Sequence, residues 1–139
     1  HGRAEEYYQR ALAADPNGVY NLSNYSGFLL AQGRDQEGLS MLRTVLGNQE
    51  LSECLDLALE CWFYLFAHGT RDRCQEALKN LKELLSSGER SLGWNLKPNV
   101  ERARHQGHPD IEWLEKLAAV ITGNTDIDSL NDWPDWQNA

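Results

Sequence analysis

The sequence predicts an all-α protein in which pairs of helices repeat along the chain. Apolar residues recur at the three- and four-residue spacing of a helix face through residues 4–87, and glycine or proline ends most of these runs. One run recurs at a fixed offset, and no segment has the alternation of a convincing strand. We therefore expect a single domain over residues 1–139, which is enough chain to bury a continuous core.

The composition argues against two classes of partner. The formal net charge is −8 at pH 7, whereas non-specific binding to nucleic acid or to an anionic membrane requires clustered Lys and Arg. No stretch approaches the roughly 20 apolar residues of a membrane-spanning helix, and no signal-peptide pattern is visible. The odd number of cysteines, 3 in all, favours reduced thiols and predicts a cytoplasmic location.

The first helical run introduces the repeated pattern. In AEEYYQRALAADPN, residues 4–17, the small Ala4, the large Tyr8, and then Ala11 and Leu12 share one helix face. The same order of small and large residues returns 34 positions later in GLSMLRTVLGN, and again in ALKNLKELLSSG after a further 39 positions. Such a helix cannot bury its face alone, so each copy needs a partner helix.

Two partner helices precede the second and third copies. VYNLSNYSGFLLAQGRDQ has a regular apolar face and ends near Gly33. LSECLDLALECWFYLFAHG has Ser52 as a candidate N-cap and Gly69 as a candidate stop. The second of these helices is apolar nearly all round, so we expect it to be covered on most sides and to lie at the centre of the fold.

These features together resemble the tetratricopeptide repeat (TPR) family, whose unit is a helix–turn–helix of 34 residues with a turn glycine and a final proline. AEEYYQRALAADP is similar to the second helix of the family, and NYSGFLLAQGR is similar to its first helix and turn. The chain departs from the family pattern at Ser26, Gly38 and Glu50, where the family usually has Gly, Ala and Pro. The resemblance implies a right-handed superhelical stack of antiparallel helix pairs, a TPR-like α-solenoid.

The resemblance also divides the chain. Residues 4–17 are interpreted as the second helix of a truncated repeat, which favours a chain cut from a longer array. Residues 19–49 form a full repeat, and residues 52–87 form an extended one. Short helices predicted at 98–106 and 109–122 make residues 91–123 a degenerate capping pair that closes the stack.

The acidic tail, residues 124–139, contains Trp133 and Trp136. Exposed indole rings are unfavourable in water, so we expect both to dock on the domain itself. Docking on another chain, or on a second copy of this one, is the alternative.

No motif in the sequence predicts chemistry. His105 and His108 lack further metal ligands at suitable spacing, so a surface role is favoured. Cys74 lies near Arg71 and Arg73 and is the better candidate for a reactive thiol, but a structural thiol is favoured. We predict no catalytic residue, no cofactor and no metal site.

In the TPR family, the first helices line a concave groove that holds peptides. The resemblance places that groove here along two helices and predicts an apolar, aromatic surface for a peptide or amphipathic helix. The groove could instead be filled by the tail, with Trp133 or Trp136 near Leu57 or Tyr64. The predicted groove residues are Tyr20, Ser23, Gly27, Leu30, Cys54, Leu57, Cys61 and Tyr64.

The resulting hypothesis is a non-enzymatic module for protein–protein interaction. One alternative is a helical accessory or regulatory segment of a larger enzyme or assembly. Another is a structural cap whose groove holds only its own tail. The identity of a protein or peptide partner stays open, as does pairing of two copies through the truncated first repeat or the tail.

Overall fold

The computed structural model of the protein describes residues 2–16 and 18–139, and this part of the chain is all helical. The predicted first segment ends at Asn17, which lies outside the described residues, as does His1. The all-α prediction is confirmed, since no strand occurs within the described ranges. The helices are α1 (Gly2–Ala14), α2 (Val19–Ala31), α3 (Asp35–Leu46), α4 (Leu55–His68), α5 (Arg71–Ser86), α6 (Lys97–His105), α7 (Ile111–Ile121) and α8 (Pro134–Gln137), with 3-10 helices at Gln49–Glu53 and Ile127–Leu130.

Helices α2 and α3 form one packed pair, and α4 and α5 form another. The turn between α2 and α3 depends on Gly33, whose φ of +80° is easily reached only by glycine. In this turn the backbone N–H of Arg34 donates to the carbonyl of Leu29 at 2.9 Å, which satisfies a carbonyl at the end of α2. The predicted stop at Gly33 therefore has a conformational cause.

The start of α4 differs from the prediction. Ser52 is not the N-cap of this helix, because it lies within the 3-10 helix Gln49–Glu53 and its hydroxyl donates to the carbonyl of Gln49 at 2.7 Å. Asn48 caps that short helix instead, accepting from the backbone N–H of Glu50 at 2.9 Å. Helix α4 begins only at Leu55. The 3-10 helix thus separates the two helix pairs.

Helix α4 is the centre of the core, as its apolar surface predicts. It contacts α2, α3, α5, α6 and α7. Leu59 and Phe63 share one face of the helix and Leu65 lies on another, and all three are buried.

The first helix is attached to α2 by aromatic and ionic contacts. The ring of Tyr8 stacks on that of Tyr25, with ring centres 5.4 Å apart. Glu5 accepts from the Tyr25 hydroxyl at 2.7 Å and forms an ion pair with Arg34 at 2.7 Å. Tyr8 of the predicted face therefore packs on the helix that follows, whereas Ala4 of the same face is exposed.

The C-terminal third folds back over the helix pairs. Helix α6 lies against both α2 and α4, and α7 packs beside α6 and α4. The chain then passes through the second 3-10 helix, which Asp126 caps by accepting from the N–H of Asp128 at 3.0 Å. Helix α8 ends the chain against α5.

Candidate functional site

The predicted groove residues lie where α2 and α4 approach each other. Ser23 Oγ and Cys61 Sγ are 3.2 Å apart and form a buried hydrogen bond between the two helices. A Cβ atom on Gly27 would stand 2.7 Å from the ring of Tyr64, so only glycine permits this approach. The interhelical contact therefore depends on two small residues of α2, Ser23 and Gly27, which face Cys61 and Tyr64 of α4.

These residues do not line an open groove, which corrects the prediction. Tyr20 is 49% exposed and Cys54 is half-buried, so only these two of the predicted side chains reach solvent to any extent. Two causes combine: α2 and α4 pack directly on each other here, and another part of the same chain covers the face. The remaining predicted groove residues are all buried: Ser23, Gly27, Leu30, Leu57, Cys61 and Tyr64.

The covering element is residues 91–108, which we call the crossing segment. At its start, the Ser91 hydroxyl is 2.5 Å from Oε2 of Glu60, and both residues are buried. Further along, Trp94 Nε1 donates to the Tyr64 hydroxyl at 3.1 Å. Asn99 Nδ2 then donates to the backbone carbonyl of Gly27 at 3.0 Å. The segment is thus anchored to α4 and α2 by polar contacts along its length.

A polar cluster holds the far end of the crossing segment. Asn99 also donates to Nε2 of His68 at 3.2 Å, which assigns the proton of that ring to Nδ1. The Arg102 guanidinium lies against Gly33, where a Cβ atom would be 2.3 Å from it. Within the described ranges, three buried atoms here have no hydrogen-bond partner: His68 Nδ1, Arg102 Nε and Asp35 Oδ1.

Burial shifts the pKa values of the titratable side chains Glu60, Cys61 and His68 on this face. It raises the pKa of Glu60 to about 7, a shift that the Ser91 hydrogen bond partly offsets and the nearby Asp56 increases. Burial likewise raises the pKa of Cys61 to about 12 and lowers that of His68 to about 4. The interior therefore favours the neutral thiol of Cys61 and the neutral imidazole of His68.

Cys74, the predicted candidate for a reactive thiol, is packed against the backbone. Burial raises the pKa of Cys74, and its Sγ lies 3.3 Å from the carbonyl oxygen of Phe66, so the sulfur is a packed thiol with little thiolate character. Cys54, Cys61 and Cys74 are all free. No group of three His, Cys, Asp or Glu in residues 2–16 and 18–139 could hold a metal ion.

The two tail tryptophans are buried, but not at the predicted place. Trp133 stacks on Trp113 with ring centres 5.4 Å apart and meets the edge of Phe66 at 5.6 Å. Trp136 stacks on Trp133, and its carbonyl accepts from Lys82 Nζ at 2.8 Å. The tail therefore docks on α5, α7 and the end of α4. At Tyr64, one of the two positions considered for these rings, Trp94 of the crossing segment is bound instead.

A concave feature lies away from the α2–α4 face, at the first 3-10 helix. We call it the α3–α5 cleft: an open cavity of about 770 Å³ between the end of α3, the 3-10 helix, the start of α4 and the last turns of α5. Trp62 and Leu84 lie in its wall, both partly exposed. The sequence pattern does not predict it, because it predicts only an N-cap at Ser52 and no 3-10 helix at Gln49–Glu53.

Sequence reasoning also missed the residues that cover the face formed by α2 and α4. Glu60 interrupts the apolar run of α4, and an acidic residue in such a run was a usable signal for a buried polar contact. Ser91, Trp94 and Asn99 carry no comparable signal, since nothing in their own segment predicts which helix they meet.

None of the helices in the described part of the chain combines the length and the apolar content required to cross a membrane. Comparisons with protein-family models, with curated proteins and with solved structures found no match.

Proposed function

We propose that this chain is a non-enzymatic helical-repeat module of the tetratricopeptide kind that binds another protein. The observation that carries the proposal is the agreement between the repeated pattern and the packing. Gly38 and Ala77 occupy the same place in two copies of the pattern, and both are buried within their helix pairs. Two similar pairs, α2–α3 and α4–α5, then pack side by side through α4. A TPR-like solenoid is the arrangement that best accounts for this.

The binding surface of such a module differs from the family pattern. Because the crossing segment covers α2 and α4, a peptide could enter the concave face only by displacing Trp94 and Asn99 from their buried partners. We therefore place the partner on a surface that is open in the folded chain. The three free thiols support work in a reducing compartment such as the cytoplasm.

A second candidate function is a structural cap that closes a larger helical assembly. The crossing segment favours it, because an occupied concave face needs no ligand. In this case the chain would contribute stability and solubility to its neighbour and would bind no separate partner.

A peptide selection separates the two candidates. The purified chain is used as bait for a display library of random peptides, with a helical protein of similar size and charge as control bait. If the chain is an interaction module, the selected peptides should share a sequence pattern, bind the chain saturably and not bind the control. If no peptide is enriched above the control bait, the interaction module is rejected in favour of the cap.

A further inference from the structure

The α3–α5 cleft has the chemistry of a docking site. Four large apolar side chains, those of Leu46, Leu55, Trp62 and Leu84, line it and remain partly exposed. Singly exposed apolar residues are common on protein surfaces, but several gathered in one concavity mark a contact site. A volume of about 770 Å³ accommodates one or two large side chains of a partner.

The charges at the cleft select the kind of partner. The charged residues that line it are Glu53 and Glu83, both exposed, and among the described residues no Lys or Arg lines it. Helices α3 and α5 both end at the cleft, but Arg43 in the last turn of α3 and Arg90, whose guanidinium donates to the Leu85 carbonyl, offset the partial negative charge of these helix ends. The two glutamates therefore set the charge of the cleft. Helix α4 begins there, but Asp56 in its first turn offsets the positive end of that helix. The cleft is therefore apolar inside and negative at its rim.

We propose that the α3–α5 cleft binds a basic amphipathic peptide segment of a partner protein. One or two large apolar side chains of that segment would pack against Trp62 and Leu84, while flanking Lys or Arg side chains would lie near Glu53 and Glu83. The net charge of −8 adds long-range attraction for such a segment and speeds its association. The proposal rests on the proposed interaction function and specifies where and what the module binds.

The test uses the full chain and three short labelled peptides. The first carries two leucines four residues apart, flanked by lysines. The second has glutamate in place of every lysine, and the third has serine in place of both leucines. Fluorescence anisotropy measures binding at low and at high salt. The lysine–leucine peptide should bind at least about tenfold more tightly than either of the others, with an affinity that falls as salt rises.

Variants locate the site. The double variant Glu53→Lys/Glu83→Lys should weaken binding of the lysine–leucine peptide by about tenfold or more, because attraction becomes repulsion. The matched control is Glu6→Lys/Glu112→Lys, the same change of net charge at exposed positions on α1 and α7, which should weaken binding much less. Circular dichroism checks the fold of each variant. If the double charge reversal does not fold, Glu53→Gln/Glu83→Gln takes its place, with a smaller expected loss.

A second readout uses Trp62. Binding should change the tryptophan fluorescence of the chain, and Trp62→Phe should remove that change while the peptide still binds. Equal binding of the lysine and glutamate peptides, or affinity unaltered in the folded cleft variants, would overturn the proposal.

The two proposals fail separately. If selected peptides bind the chain but the cleft variants leave their affinity unchanged, the cleft is rejected and the interaction function stands. If no peptide of any composition binds, both are rejected.

Discussion

Glu60 is an acidic side chain in the interior of α4, and it links the core to the crossing segment. It is 2% exposed, and only Oε2 has a hydrogen-bond partner among the described residues, the Ser91 hydroxyl. A buried carboxylate without an ion pair is costly, which is why burial raises its pKa to about 7. Near neutral pH the carboxyl group is therefore close to half protonated.

The raised pKa of Glu60 predicts that the free energy of unfolding falls as the pH rises. The folded pKa of about 7 exceeds the unfolded value of 4.5. The stabilising contribution is complete below 4.5 and is lost as the pH rises through 7. The loss should be roughly 3 kcal/mol, since one pKa unit is worth about 1.4 kcal/mol.

Urea denaturation across this pH range should show the loss in the native chain and its absence in Glu60→Gln. Glu6→Gln, an exposed change on α1, is the matched control and keeps the native profile. The same downward slope in Glu60→Gln would contradict the assignment.

His68 produces the opposite dependence. Burial is the main cause of its low pKa of about 4, with Arg102 and His108 lowering it further and Asp35 acting the other way. Because the folded pKa lies below the unfolded value of 6.5, the contribution is present above 6.5 and is lost as the pH falls towards 4.

Between neutral and acid pH, the free energy of unfolding should therefore fall less in His68→Gln than in the native chain. A glutamine oxygen can still accept the hydrogen bond from Asn99, which keeps the comparison clean. His105→Gln changes an exposed ring at the end of α6 and serves as the control. If His68→Gln and the native chain had the same acid-unfolding midpoint, a group other than His68 would cause the loss of stability in acid.

At the scale of elements, the approach of α2 to α4 depends on Gly27. Alanine has the higher helix propensity, by about 1 kcal/mol, so propensity alone favours Gly27→Ala. Its Cβ, however, would be 2.7 Å from the Tyr64 ring, which is buried and held by Trp94. The helices must then separate or the ring must move.

We predict that Gly27→Ala lowers the free energy of unfolding by about 1–3 kcal/mol through overpacking. The control is Gly47→Ala after α3, where the nearest atom to the new Cβ is at 3.5 Å and φ is −86°. This change should be neutral or stabilise by up to about 1 kcal/mol. Urea midpoints measure both, and equal stability of the two variants would contradict the account.

The tail is a separate element whose attachment depends on aromatic packing. Trp133 is 2% exposed and lies between Trp113 and Trp136. Trp133→Ala should lower the free energy of unfolding by about 3–5 kcal/mol, because it removes a large buried ring. It should also make the tail sensitive to limited proteolysis.

Asp135→Ala, an exposed change in α8, controls for effects on the tail itself and should be close to neutral. A Trp133→Ala chain as stable and as protease-resistant as the native one would mean that the tail contributes little to the fold.

For the whole molecule, the crossing segment determines which surfaces are open. Asn99→Ala would leave the Gly27 carbonyl and the His68 ring without their donor, at a cost of about 1–3 kcal/mol. Amide hydrogen exchange should then be faster in α6 than in the native chain, because the segment opens before the helix pairs unfold.

Lys97→Ala, exposed at the start of α6, is the control and should leave the exchange rates of that helix as they are. Unchanged protection of α6 in Asn99→Ala would show that apolar packing alone holds the crossing segment.

Local pattern predicted the helices because the information needed for them lies within a few residues. The spacing of apolar side chains identified the helix pairs, and Gly33 and Gly69 marked two helix ends. The central place of α4 followed from its composition in the same way. For the tail, hydrophobicity predicted burial of both tryptophans, since that property needs no knowledge of the partner.

Tertiary structure alone decided what covers the face formed by α2 and α4 and where the tail docks. The contact between Asn99 and Gly27 joins positions 72 apart, and the contact between Ser91 and Glu60 joins positions 31 apart. No local period encodes such pairs, because each depends on how helices already formed are placed in space. The same reason hid the α3–α5 cleft, whose walls come from separate elements joined through the 3-10 helix. The helices follow from neighbours along the chain, whereas the closed face and the open cleft follow from neighbours in space.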